Sequence, residues 1–197
     1  RMQEEMYDEG RQFAIEDSLI TDHDFAVNVQ HDFLIVQDTA NFIRMRRVLT
    51  NTWRDFFIYY VENAEPGRIS PQWIYQVRDS LTEKFHRGTF EGSYVEIDRR
   101  RALITQNINF LDRYAFKTRG LWRMTQDAMG GPFVNYTFYD EEQDRIYMLD
   151  GMVHAPGYDK REFLRQMEVM AQTFRTEYEA EQDTTTNSNP PQTASTE

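Results

Sequence analysis

Residues 114–175 read YAFKTRGLWRMTQDAMGGPFVNYTFYDEEQDRIYMLDGMVHAPGYDKREFLRQMEVMAQTFR, and the fold is decided in this stretch. From Ala115 to Met124 apolar and polar residues alternate. Phe116, Thr118, Gly120, Trp122 and Met124 take one side and Lys117, Arg119 and Arg123 the other, the period of a half-buried strand. Gly130-Gly131-Pro132 reads as a turn leading into a strand, with at least one glycine at positive φ. Phe133 to Tyr139 is a second strand, rich in aromatic and β-branched residues. The acidic loop 140–144 joins it to a third strand, Arg145 to His154, which stops at Ala155-Pro156-Gly157. A helix over 159–176 follows. Asp159 and Glu162 form a capping-box pattern, and Phe163, Met167, Met170 and Phe174 step along one helical face.

Working outward, Trp53 to Val61 (WRDFFIYYV) is the most strand-like segment, and its near-continuous apolar character marks a central strand buried on both faces. Asn41 to Arg47 is a shorter strand with Arg44 and Arg46 on one side. Ser70 and Pro71 open a helix over 70–87 whose buried face is Ile74, Val77, Leu81 and Phe85. His86 falls in its last turn, where a cation complements the helix dipole, so it is given a structural role. Phe90 to Ile97 and Ala102 to Leu111 read as two more strands. Before all of these lie a polar N-terminal helix weakened by Gly10 and a repeated His-Asp-Phe piece, at His23 and His31, with extended chain around the second copy.

The class expected is α+β: an antiparallel sheet of about six to seven strands, two packed amphipathic helices and an N-terminal helix. Residues 1–21 are read as the helical end of an upstream part, 22–177 as one domain, and 178–197 as a disordered polar tail with no apolar content to offset the cost of ordering. Arg1 stands where an initiator would, so the chain is read as a piece or a processed form.

Composition excludes several functions. There are no cysteines, so thiolate catalysis and cysteine metal sites are out. A net charge of -11 is a poor match for nucleic acid, and no apolar run is long enough to span a membrane as a helix. The P-loop, dinucleotide, zincin and nucleophile-elbow motifs are all missing. His23 and His31, with Asp24 and Asp32, are the nearest thing to a metal cluster, but an extended chain would hold them far apart, and they read as two solvated turns. Arg99, Arg100 and Arg101 read as a solvated hairpin tip, although three guanidiniums could take an anion. His154 reads as a satisfied or solvated histidine at a strand end.

RGLW (119–122), DAMGGPF (127–133), the VHAP ending (153–156), DKREFLRQME (159–168) and, back to about Asn41, NFIRMRR resemble the domain-of-unknown-function family 4837. Its members are predicted Bacteroidetes lipoproteins of unknown activity. The resemblance implies export to the periplasm or an outer-membrane anchor, and no catalytic residue. The strand meander and closing helix also resemble the Mog1/PsbP-like fold. Two functions follow as expectations. One is a non-catalytic envelope domain that binds a ligand, a glycan or an envelope protein through aromatic surface. The alternative is a carboxylate-dependent hydrolase of glycan or peptide built on Glu91, Glu96 and Asp98. No catalytic, cofactor-binding or metal residue is assigned.

Overall fold

The computed structural model describes residues 2–180. Two helices come first, α1 (Met2–Tyr7) and α2 (Phe13–His23), then β1 (Phe25–Ala26), β2 (Leu34–Thr39), β3 (Phe42–Leu49) and β4 (Thr52–Glu62). A 3-10 turn at Pro66–Arg68 leads to α3 (Pro71–Phe85). After it come β5 (Val95–Ile97), β6 (Ile104–Phe110), β7 (Arg113–Met124), β8 (Gly130–Asp140), β9 (Arg145–His154), α4 (Arg161–Ala171) and β10 (Arg175–Thr176). The main sheet has eight antiparallel strands in the order β2-β3-β4-β9-β8-β7-β5, with β6 beside β7, so the fold is α+β. β1 and β10 form a separate pair. The apolar run 53–61 is central as its composition requires, with β3 on one side and β9 on the other.

Register decides which helix meets which face, because residues opposite each other across an antiparallel pair share a face. Phe56 and Phe57 are neighbours on β4 and point to opposite sides. Phe56 packs in one core cluster with Leu149, Val134, Met167 and Met170, beneath α4. Phe57 packs in another with Phe42, Met148, Ile74 and Leu81, beneath α3. The helices therefore cover opposite faces. The α4 side also takes Met6, Leu19, Phe25, Val27, Val29 and Phe33, so the N-terminal segment belongs to that core. Each such aromatic or aliphatic side chain contributes about 1.5–3 kcal/mol on burial.

On the α3 face the core is not all apolar. Arg78 of α3 enters the sheet fully buried and meets the equally buried Asp150 at 2.8 and 3.2 Å. Asn135 donates to the same carboxylate at 2.9 Å, Thr137 donates to Asn135 at 2.8 Å, and the guanidinium carbon lies 3.7 Å from the Phe133 ring centroid.

Several expected boundaries move. Gly130-Gly131-Pro132 is not a positive-φ turn; it lies inside β8, opposite Arg123, Trp122 and Leu121. Glycine is required at 131 for a different reason: a Cβ there would run into the Val153 carbonyl oxygen. The strand expected over 90–97 shrinks to Val95–Ile97, because residues 88–93 close on themselves through Gly88 N to Ser93 O and Ser93 N to Phe90 O. The N-terminal helix splits at Gly10, whose φ is 112°. The closing helix ends at Ala171 rather than 176, since Thr173 turns the chain by donating to Met170 O and Phe174 then packs among Phe25, Phe138 and Tyr147. Asp159 accepts from the Arg161 backbone N–H at 3.0 Å, but the residue at the cap position is Lys160, which makes no side-chain capping bond. Ser70 caps α3 as expected, accepting from Trp73 N at 3.2 Å. Of the polar tail, only residues 178–180 are among those described; Glu179 there pairs with Arg113 at 2.7 Å.

α4 sits close to the sheet because β9 carries Gly151 beneath it. A Cβ on Gly151 would fall 2.9 Å from Met167 Cγ and closer still to Met167 Cβ. Gly151→Ala is therefore expected to lift α4 and destabilise the protein by about 1–3 kcal/mol. Gly67→Ala, whose Cβ meets nothing within 4 Å, serves as the control and should leave the urea midpoint unchanged. Equal midpoints for the two variants would show that α4 does not need this approach.

Candidate functional site

An acid in the middle of a strand buried on both faces must find cations or lose its charge. Asp55 on β4 is that acid, and it is fully buried. Opposite it in register stands Arg46 of β3, and Arg44 lies two residues away on the same face. Arg44 grips both carboxylate oxygens, Nε to Oδ1 at 2.7 Å and Nη2 to Oδ2 at 2.9 Å, and Arg46 Nε reaches Oδ2 at 2.6 Å. Arg44 Nη1 also donates to Phe85 O at 2.9 Å, one of the carbonyls left open at the end of α3. The fourth partner is His86, directly after α3, whose Nε2 lies 3.0 Å from Asp55 Oδ1.

Burial would raise the Asp55 carboxyl, but its bonds to His86 and Arg44 outweigh that and hold it far below the usual carboxylate range. Burial drives His86 the other way, below its ordinary value, against the pull of Asp55 and with help from the neighbouring arginines. His86 is then a neutral ring that donates from Nε2 to Asp55. Its Nδ1 is an acceptor with no hydrogen-bond partner. His86 keeps a structural role, but not the dipole-complementing cation expected at the helix end: the ring turns inward, packed on Phe42 and Phe57.

A cavity of about 290 Å³ opens over this cluster, lined by His86, Arg46 and Arg87 together with Trp53, Met124 and Met129. Trp53 anchors the wall, stacked with His154 at 5.5 Å, near Trp122 at 5.0 Å and beneath the Arg46 guanidinium at 4.9 Å. The loop between β7 and β8 closes it: Met124 N donates to Met129 O at 2.9 Å and Thr125 N to Tyr94 O at 3.0 Å. Across that loop lies a second hollow of about 580 Å³, shared between Trp122, Asp127, Gly130, Gly131 and Lys160. Residues from three of the sequence motifs, RGLW, DAMGGPF and DKREF, therefore converge on this one end of the sheet.

The carboxylates expected of a hydrolase do not converge. Glu91 is exposed in the 88–93 turn. Glu96 is paired with Arg123. Asp98 is hydrogen-bonded to Arg100 at 2.7 Å, and that bond lowers its pKa to about 2, the opposite of what a general acid needs. Arg99 pairs with Asp79 at 2.6 Å, so two of the three hairpin arginines are matched by acids. His23 is not in a solvated turn. It is buried at the end of α2 between Tyr60 at 3.1 Å and Asp38 at 2.9 Å, while His31 faces Glu9 at 3.3 Å. Among the described residues no group of three metal-ligating side chains comes together. His154 is half-buried, and its Nδ1 makes no hydrogen bond. The signal for the true cluster was in the sequence: an aspartate inside WRDFFIYYV, with Arg44 and Arg46 at matching parity on the preceding strand.

The model of the family described as domain of unknown function (DUF4837) matches residues 12–173, reaching further back than Asn41. No curated protein is significantly similar to the chain. Among solved structures, the Saccharomyces cerevisiae Ran-binding protein Mog1p is similar at 9% identity, over 78% of this chain and 90% of that one, with a TM-score of 0.49. A mutant of the protein Mog1 is similar over the same shares, at 9% identity and a TM-score of 0.48. At that identity and score the likeness carries no partner or activity to this chain.

The His86 ring has a consequence for pH. Its folded pKa lies below 6.5, so as pH falls the unfolded chain takes up the proton first. The stability tied to the neutral ring is full above about 6.5 and is lost as pH falls through the folded value. Urea unfolding of wild type between pH 7.5 and 5 should therefore lose more stability than His86→Gln over the same span. Parallel curves would mean that the ring is not held neutral.

Proposed function

The chain belongs to the DUF4837 family, and from that premise we propose that it is a non-catalytic binding domain of the cell envelope that takes a small anionic ligand in the cleft beside His86. The carrying observation is the lining of that cleft. In a chain of net charge -11, its charged walls are Arg46 and Arg87 against Asp127 alone, with Arg46 sharing the buried Asp55 behind them with Arg44. Arg87 is exposed and makes no ion pair among the described residues, so it is free to take a carboxylate or phosphate. Trp53 and the two methionines supply apolar wall, and about 290 Å³ suits one sugar ring or one amino acid. Placement in the envelope rests on the resemblance of the sequence motifs to a family of predicted lipoproteins.

The non-catalytic part of this reading is supported by what surrounds His86. Asp55 and His86 form the orienting half of an acid–base triad, but among the described residues no hydroxyl is hydrogen-bonded to the other ring nitrogen of His86. Ser93 is buried nearby, yet its hydroxyl has no hydrogen-bond partner.

Titration of the whole chain with glucuronate and with inorganic phosphate, followed by amide chemical shifts, tests the proposal. At least one should bind saturably and perturb residues 86–89 and 125–129, and Arg87→Ala should weaken it by about tenfold or more, the worth of one charge-assisted hydrogen bond. No saturable binding of either probe, or binding indifferent to Arg87→Ala, would overturn the anionic cleft. Turnover of a glycan that Glu96→Gln or Asp98→Asn abolishes without loss of fold would overturn the non-catalytic reading.

A further inference from the structure

At the other end of β7 lies a hollow of about 620 Å³, and its chemistry is the reverse of the cleft's. Its apolar walls come from Tyr114 and Phe116 of β7, Tyr139 of β8 and Ile69, just ahead of α3. Tyr114 and Phe116 meet edge to face at 5.6 Å and 84°, and Tyr114 is 65% exposed, so its ring is not consumed by the core. The lining also carries five carboxylates and a single guanidinium, Arg113. That guanidinium is already held by Asp140 and Glu179, each at 2.7 Å. Asp112, Glu141 and Glu142 make no ion pair among the described residues and stand exposed around the opening.

The acids alone would form only a solvated patch, and they do not form a metal cage, since among the described residues no three metal-ligating side chains converge. A hard cation would also gain nothing from the aromatic walls. A weakly hydrated organic cation gains from both. Its charge is attracted to the faces of the tyrosine and phenylalanine rings, its methyl or methylene surface is buried against them, and the carboxylates at the opening add a field of the right sign. We propose that this cavity is a binding site for an alkylammonium group, quaternary or primary, carried by a small molecule. It is independent of the anionic cleft: the two lie at opposite ends of one strand and take opposite charges, so a ligand could occupy either alone.

The test uses choline and tetramethylammonium against the uncharged isostere of choline, 3,3-dimethylbutan-1-ol, with the whole chain and amide chemical shifts as the readout. Both cations should bind saturably, with Kd on the order of millimolar, and should perturb residues 112–116 and 139–142, while the alcohol does not. Tyr114→Ala, at an exposed position, should weaken choline by roughly fivefold or more. The double variant Glu141→Gln, Glu142→Gln should weaken it further and flatten its dependence on salt. Methylamine binding at the same residues would extend the site to primary amines, still within the proposal. The proposal is overturned if the neutral alcohol binds as well as choline, if neither cation binds saturably, if Tyr114→Ala leaves the affinity unchanged, or if calcium chloride perturbs these residues where the organic cations do not.

Discussion

The contact between Arg78 and Asp150 governs how α3 sits on the sheet. Both side chains are fully buried, one on the helix and the other at the centre of β9. Two charges taken out of water gain little net stability from each other, because desolvation offsets most of their attraction. What such a pair enforces is position. Sliding α3 by one turn would bury two unpaired charges, an error of several kcal/mol, whereas its apolar stripe of Ile74 and Leu81 would accept other registers at small cost. Asn135 and Phe133 complete the seat, one by hydrogen bond and the other by its ring face.

Both hollows inherit their geometry from that placement. The end of α3 delivers His86 to Asp55 and Phe85 O to Arg44, so the floor of the cleft is assembled from one helix end and two adjacent strands. The segment leading into the start of α3 supplies Ile69 to the cavity at the other end of β7. On the opposite face the logic is apolar. α4 approaches over Gly151, and the aromatic group of Phe25, Phe138, Tyr147 and Phe174 gathers the chain's beginning and end into one core. The α4 side is closed mostly by apolar packing, with Arg54 and Glu16 buried at its margins, and the α3 side carries the Arg78–Asp150 and Arg44–Asp55 pairs that position polar groups. The two hollows have opposite electrostatic character on a chain of net charge -11 because local pairing, not net charge, sets which ions are left over.

The strands at 53–61, 133–139 and 145–154, the helix beginning at Pro71 and the apolar stripe of the closing helix were legible because each is written in short-range periodicity: two residues for a strand, three to four for a helix. Membership in a family was legible in the motifs of 119–168 for the same reason, since a motif is local. The excluded chemistries followed from residue types that are simply not there. Tertiary structure decided the rest. Whether His86 served the helix end or turned to Asp55, whether Glu96 met Asp98 or Arg123, why position 131 must be glycine, and which face each helix covers all depend on residues 22 or more positions apart in sequence or on backbones crossing in space. Periodicity says which side of a strand a residue is on. It does not say what stands opposite, because the partner of a buried charge is chosen by strand register and helix placement, and those are set by the energy of the whole packed sheet.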